Sequence, residues 1–247
     1  MDTFQFPIVI AVFVLAGAVK GITGMGLPTV AMSLLGLWMA PVHAAALVVA
    51  PSFATNVAQC RGPHLRPLAV RLWPGWVAIA IFTVATPGFD GTETASSAKG
   101  WLGSSLIVYG VWGLWRPVLP VLSARNRWFS ATAGAATGVV TALTAVFVLP
   151  WVPYLQSIRL NKDEMVQALG LSFTVATLAL AVRVHESVPL GEWSISAGIA
   201  VCVALAGAFG GLKLGEVLRG RLAGPAFQKA LFVVFIALGM ANLIRAG

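Results

Sequence analysis

The amino-acid sequence predicts an all-α integral membrane protein with two inverted-topology repeats, each a helical hairpin followed by three transmembrane helices. Three observations predict this fold: the composition, the alternation of charge between loops, and a weak internal repeat. Of the 247 residues, 58% are hydrophobic and 10% are charged, whereas a soluble domain has about 25% charged residues. The apolar residues form long runs without a polar face, each near the roughly 17–25 residues that cross a bilayer as a helix.

Nine apolar segments are the predicted membrane elements. Short connections join them, and nothing in the sequence indicates a separate soluble domain. In chain order, the segments are 4–19, 27–40, 43–59, 72–89, 101–115, 128–150, 165–183, 193–212 and 226–244.

The loops between these segments are alternately basic and acidic. The segments 60–71, 116–127 and 213–224 are rich in arginine, whereas 87–99 and 184–192 carry acidic residues. Because cytoplasmic loops are enriched in Lys and Arg, we place the basic loops in the cytoplasm and both termini outside. The net charge of +8 then belongs to these loops. The sequence lacks a dense basic cluster with interleaved aromatic residues, so no nucleic-acid partner is predicted.

This orientation requires two stretches, 4–40 and 128–158, to return to the side on which they begin. The two stretches also resemble each other, because Gly17-Ala-Val-Lys-Gly21 is followed 117 residues later by Gly134-Ala-Ala-Thr-Gly138. The first stretch begins outside and the second inside, as expected of an inverted repeat, a common architecture of secondary transporters. The repeats divide the chain into 1–116 and 117–247. Further along, Pro51-Ser-Phe-Ala-Thr55 parallels Leu171-Ser-Phe-Thr-Val175.

The segment Lys20-Gly-Ile-Thr-Gly-Met-Gly26 predicts a break in the first hairpin. Glycine permits backbone turns and weakens a helix by about 1 kcal/mol relative to alanine. Exposed N–H groups at a helix start favour an anion, and Lys20 adds a full positive charge beside them. Two alternatives stay open: the glycines serve only in close helix packing, or Lys20 extends its amine to water at the membrane surface.

The motifs resemble those of the TauE/SafE family of anion exporters. The resemblance rests on GITGMGLPTVAMSLLG, the following ALVVAPSFATNVAQ, and the degenerate second copy GAATGVVTALTAVFVLPWVPYL. It implies export of sulfite, of organosulfonates such as sulfoacetate, or of related sulfur oxyanions from a prokaryotic cytoplasmic membrane. The second copy has Thr141, Ala142 and Leu143 where glycines are expected, which puts the exact substrate in doubt.

The predicted substrate-binding residues are the glycines of the break and the polar residues near both hairpins. Hydroxyl and amide groups donate hydrogen bonds to sulfonate oxygens, although each can instead form an ordinary helix–helix hydrogen bond. Ser52 and Ser172 occupy equivalent repeat positions, so we expect both to face one pseudo-symmetric cavity. The full set is Lys20, Gly21, Thr23, Gly24, Gly26, Ser52, Asn56, Gln59, Thr141, Thr144, Gln156 and Ser172.

The predicted mechanism is export down the electrochemical gradient by alternating access. No carboxylate lies in the middle of a predicted span, and an anion leaving a negative interior gains about 2.3 kcal/mol per charge per 100 mV. We expect no catalytic residue, metal or cofactor; the partners are a small anion and the lipid bilayer, with a homodimer left open. The alternatives are an anion channel or uniporter, a carboxylate or neutral-solute transporter, a structural subunit, and an intramembrane enzyme. The enzyme is disfavoured because Gly170-Leu-Ser-Phe-Thr174 lacks the second glycine of a serine-protease motif.

Overall fold

The computed structural model describes residues 5–87, 93–115, 126–187, 195–222 and 224–246. These residues form ten α-helices and no strand, which confirms the all-α prediction. Both predicted outside termini and the predicted repeat boundary at 116/117 lie outside the described residues. The helices are α1 Gln5–Thr23, α2 Leu27–Leu35, α3 Pro41–Gln59, α4 Leu65–Ala85, α5 Glu93–Trp115, α6 Arg127–Thr144, α7 Trp151–Ser157, α8 Lys162–Ser187, α9 Ile195–Leu222 and α10 Pro225–Ile244.

Six of the described helices are long and apolar enough to cross a membrane: α1, α3, α4, α8, α9 and α10. Large apolar side chains on their outer faces are exposed, for example Val70, Ile81 and Val217. Such a surface is unfavourable in water but is suited to lipid, since the bilayer interior is itself apolar. The protein is therefore a multi-pass membrane protein.

Each half begins with a long helix and a short helix separated by a break. In the first half α1 ends at Thr23 and α2 has nine residues. In the second, the apolar segment 128–150 is not one helix, because α6 ends at Thr144 and the seven-residue α7 begins at Trp151. At 1.5 Å per residue, α2 rises about 13 Å and α7 about 10 Å, well short of the roughly 30 Å hydrocarbon core. Each hairpin thus consists of one helix of spanning length and one that is too short to span.

The two halves interleave in the packing. The most extensive helix contacts join α1 to α9 and α6 to α4, so each pair takes one helix from each half. A Cβ at Gly17 would overlap the carbonyl oxygen of Ala208, and one at Gly134 would overlap that of Gly75. Both Gly-x-x-x-Gly motifs therefore allow close backbone approach, as the packing alternative predicted.

Two further extensive contacts join helices that hold the same position in their own half. These contacts pair α5 with α10 and α3 with α8. A Cβ at Gly103 would lie 2.7 Å from the carbonyl oxygen of Gly239, and one at Gly239 would lie 2.7 Å from that of Gly103. Both the order of helix lengths and the choice of partners recur in the two halves, which supports the predicted repeat. The inverted orientation of the halves across the membrane stays a prediction.

Candidate functional site

The break between α1 and α2 is built by two glycines. Gly24 has φ 84° and Gly26 has φ 98°, in the left-handed region that glycine adopts without strain. Gly26 is the residue before α2, and no side chain caps that helix start. The first N–H groups of a helix have no partner within the helix. Pro28 has no N–H, so the start of α2 offers the N–H groups of its other first residues and a partial positive charge to an anion.

A threonine closes the long helix at each break. Thr23 Oγ1 lies 2.9 Å from the carbonyl oxygen of Val19 and accepts a hydrogen bond from the N–H of Met25 at 3.3 Å. Thr144 repeats this pattern at the end of α6. Its Oγ1 lies 2.7 Å from the carbonyl oxygen of Val140 and accepts a hydrogen bond from the N–H of Val146 at 3.1 Å. Both threonines, which we predicted to bind substrate, thus serve the backbone of the break itself.

Lys20 is fully buried, with 1% of its surface exposed. Its Nζ donates hydrogen bonds to Asn56 Oδ1 and, at 3.0 Å, to Thr55 Oγ1. The Asn56 amide in turn donates to Thr177 Oγ1 on α8 at 3.2 Å. Among the described residues no carboxylate pairs with Lys20. The amine does not extend to the protein surface, so the snorkelling alternative is wrong. We call these four residues the Lys20 cluster; it holds a buried amine among neutral partners.

The Lys20 cluster lies along a polar stripe of α3, formed by Ser52, Thr55, Asn56 and Gln59 at the spacing of one helix face. At one end, Ser52 Oγ is buried without a hydrogen-bond partner. At the other end, Gln59 Nε2 donates to the carbonyl oxygen of Gly24 at 2.9 Å, while Gln59 Oε1 is buried without a partner. Gln59 therefore ties α3 to the first break.

In the second half, the described residues form no equivalent of this cluster. Thr137 stands 117 residues after Lys20, and Ala176 stands 120 residues after Asn56. Thr141 Oγ1 donates to the carbonyl oxygen of Thr137 at 2.7 Å, an ordinary intrahelical bond. Among the described residues, the polar site at the breaks is thus asymmetric, since Lys20 places a buried amine one turn before the first break and Thr137 stands at the equivalent position of the second half.

The Ser172 hydroxyl forms hydrogen bonds with two neighbouring groups. Its Oγ donates to the carbonyl oxygen of Ala168 at 2.6 Å and accepts a hydrogen bond from Trp76 Nε1 at 2.8 Å. Neither Ser172 nor Ser52 lines the cavity described below. The expectation that the two serines face one pseudo-symmetric cavity stays a prediction.

A cavity of about 340 Å³ lies between the first break, α5, α7 and α10. Of the predicted site residues, Thr23, Gly26 and Gln156 line it, and no charged side chain does. The other wall is aromatic and was missed by the sequence analysis; it includes Tyr109 and Trp112 of α5. The predicted residues outside this lining are Lys20, Gly21, Gly24, Ser52, Asn56, Gln59, Thr141, Thr144 and Ser172.

The basic segment before α10 lies at the same end of the bundle as the first break. Arg219 Nε donates to the carbonyl oxygen of Gly21 at 2.9 Å. A Cβ at Gly21 would overlap the carbonyl oxygen of Leu212, so Gly21 serves in packing against α9. If basic loops are cytoplasmic, the cavity lies toward the cytoplasm.

A family model described as sulfite exporter TauE/SafE matches residues 9–242, nearly the whole chain. The chain belongs to the TauE/SafE family. This confirms the resemblance stated from the motifs, and the match includes both breaks and every residue of the Lys20 cluster. Membership supports a membrane anion transporter. No curated protein and no solved structure matches this TauE/SafE chain.

Proposed function

We propose that this TauE/SafE protein exports a small sulfur oxyanion, sulfite or an organosulfonate, across the cytoplasmic membrane of a prokaryote. The observation that carries the proposal is the buried Lys20 amine, which has no carboxylate partner among the described residues and lies one helical turn before the first break. The family match independently supports an anionic substrate.

Electrostatics favours an anion at the first break. A lysine ammonium has three donors, and two of them serve Thr55 and Asn56. Three residues along α1 rise about 4.5 Å, so the backbone of Lys20 lies one helical turn from Thr23 on the cavity wall. The start of α2 adds its own partial positive charge. In a medium of low dielectric constant both interactions are stronger than in water.

The helix packing supports alternating access. The pairs α1/α9 and α4/α6 each pack with backbone-to-backbone approach at glycine, which favours movement of each pair as one body. We propose that these two bodies rock against the central α3/α8 pair and expose the cavity to either side in turn. An inside-negative potential drives export of the anion without a coupling ion.

The experiment is efflux from proteoliposomes loaded with sulfite, sulfoacetate or sulfate under an imposed inside-negative potential. We expect saturable, voltage-driven efflux of one sulfur oxyanion, and loss of most of this efflux in Lys20→Ala. The matched control is Lys229→Ala, because Lys229 is exposed on α10 and its removal should leave efflux unchanged.

Two results would count against the proposal. If the Lys20→Ala variant exports the anion as fast as the unmodified protein, Lys20 does not attract the anion. If the same anion carries single-channel currents, the protein is a channel and does not work by alternating access.

A further inference from the structure

One face of α4 is exposed from its first turn to its last. The residues of this face follow one another three or four positions apart, the spacing of one side of a helix. They are Arg66, Val70, Trp73, Val77 and Ile81, and all are exposed. We call these five residues the α4 stripe. The opposite face of the helix, which includes Leu72, Gly75 and Ile79, is buried. The α4 stripe therefore faces the surroundings of the protein, with an arginine at its start and apolar side chains beyond.

The start of α6 brings a second arginine to the α4 stripe. The two helices run in the same direction, since Gly134 packs on Gly75 and Gly138, one turn later on α6, packs one turn later on α4. Their first residues therefore lie at the same side of the membrane. The guanidinium carbon of Arg127 lies 5.9 Å from the centroid of the Trp73 ring, a distance at which an aromatic face attracts a cation.

Arg66 and Arg127 lie at a similar depth and have no acidic partner. Two helical turns before the contact of Gly134 with Gly75, the register places Arg127 level with position 68 of α4. The segments 60–89 and 126–162, which contain α4 and α6, have no Asp or Glu. Among the residues that the structure describes, neither arginine forms an ion pair. A guanidinium has five donors in a planar arrangement that matches phosphate, so this surface suits an anion.

The apolar part of the α4 stripe indicates which anion fits. Tryptophan is enriched at the membrane–water interface, and Val77 and Ile81 follow Trp73 toward the membrane interior. The helix rises about 12 Å from Trp73 to Ile81, close to the roughly 15 Å of one half of the hydrocarbon core. A soluble anion would contact only the arginines. A phospholipid would place its phosphate at the arginines and an acyl chain along the rest of the stripe.

We propose that the α4 stripe and Arg127 bind one anionic phospholipid, whose phosphate pairs with Arg66 and Arg127 and whose acyl chain lies along Val77 and Ile81. Basic residues at the cytoplasmic ends of transmembrane helices attract the anionic lipids of that leaflet. If basic loops are cytoplasmic, the lipid belongs to the inner leaflet. The site is on the outer surface of the α4/α6 pair and none of its residues lines the cavity, so it does not depend on which anion is transported.

Native mass spectrometry of the protein in mild detergent measures the bound lipid directly. The probes are phosphatidylglycerol, zwitterionic phosphatidylcholine with the same acyl chains, and soluble glycerol 3-phosphate. We expect phosphatidylglycerol to bind at least about tenfold more tightly than phosphatidylcholine, since each basic residue near the membrane surface contributes about fivefold. Glycerol 3-phosphate has no acyl chain and should not displace the lipid.

Variants of the two arginines test the location of the site. Arg66→Gln and Arg127→Gln should each weaken phosphatidylglycerol binding about fivefold. Both side chains are exposed, so the Tm in detergent without anionic lipid should not change. Added phosphatidylglycerol should raise the Tm of the unmodified protein, because a bound lipid stabilises the folded state, but not that of the double variant. The matched control is Arg221→Gln, because Arg221 is also exposed, at the basic end of α9, and lies outside the α4 stripe.

Four results would overturn the proposal. Equal affinities for phosphatidylglycerol and phosphatidylcholine would show that the headgroup charge is not recognised. Undiminished phosphatidylglycerol binding in the double variant would place the lipid elsewhere. An equal loss of binding in Arg221→Gln would show that binding follows net charge and not this site. Displacement of phosphatidylglycerol by glycerol 3-phosphate would assign the two arginines to a soluble phosphate.

Discussion

The contact between Lys20 and Asn56 gives a specific prediction about stability. Asn56→Leu keeps most of the side-chain volume but removes the Oδ1 that accepts from Lys20 and the amide that donates to Thr177. A hydrogen bond to a charged group contributes about 1.5–3 kcal/mol and a neutral one about 0.5–1.5 kcal/mol. The variant should therefore lower the free energy of unfolding by about 2–4 kcal/mol.

Lys20→Met should cost far less than Asn56→Leu. Methionine has a similar shape and removes the buried charge together with its desolvation cost, so we expect a change of about 1 kcal/mol or less. In the Lys20→Met background, Asn56→Leu no longer deprives a charged amine of its acceptor. The double variant should be more stable than the sum of the single effects predicts, by about 1–3 kcal/mol.

Reversible unfolding in mixed micelles, followed by tryptophan fluorescence, measures these four free energies. Asn242→Leu is the control, because Asn242 is also fully buried but donates to the neutral carbonyl oxygen of Ser33 at 3.1 Å. Its effect should add to that of Lys20→Met. The assignment of a charged contact between Lys20 and Asn56 would be refuted if the changes in unfolding free energy caused by Lys20→Met and Asn56→Leu add within about 0.5 kcal/mol.

Three further predictions concern packing, the first break and orientation. Gly21→Ala should lower the free energy of unfolding by about 1–3 kcal/mol, since the added Cβ would overlap α9. The control is Gly210→Ala, which should have little effect in the same unfolding assay because a Cβ there meets nothing within 4 Å. Gln59→Leu leaves the carbonyl oxygen of Gly24 without its side-chain donor. The variant should reduce the initial efflux rate about tenfold or more, while the free energy of unfolding falls by only about 1 kcal/mol. An unchanged efflux rate would contradict a positioning role for Gln59. A tag at the C-terminus should be cleaved by protease added outside intact cells, and protection from that protease would reverse the predicted orientation.

Most of the helical architecture followed from composition and loop charge, and the first break followed from its glycines. The second break was harder to predict, because 128–150 is an apolar segment without glycine after Gly138. There the chain leaves the helix at Ala145, whose φ of 55° is unusual for a residue with a side chain. Local sequence carries little signal for such a turn, since the surrounding packing holds it in place.

The candidate site was predictable only in part. A lysine in an apolar segment indicated a functional group, but its partners Thr55 and Asn56 depend on how α1 meets α3, which spacing along the chain does not reveal. The aromatic wall was missed because aromatic residues are common in membrane helices and nothing in the sequence relates Tyr109 to Phe232, more than a hundred positions away.

The pairing of α1 with α9 has a consequence for how the protein is made. The partner of α1 begins at Ile195, about 170 residues after α1 ends at Thr23. At roughly 5–20 residues per second, the ribosome needs about 10–35 s to reach α9. During that interval the glycine face of α1 must lie against lipid, the insertion machinery or a temporary neighbour. A ribosome that stops between α8 and α9 therefore releases a chain whose first helix has no permanent partner, and such truncated products should be early targets of membrane quality control.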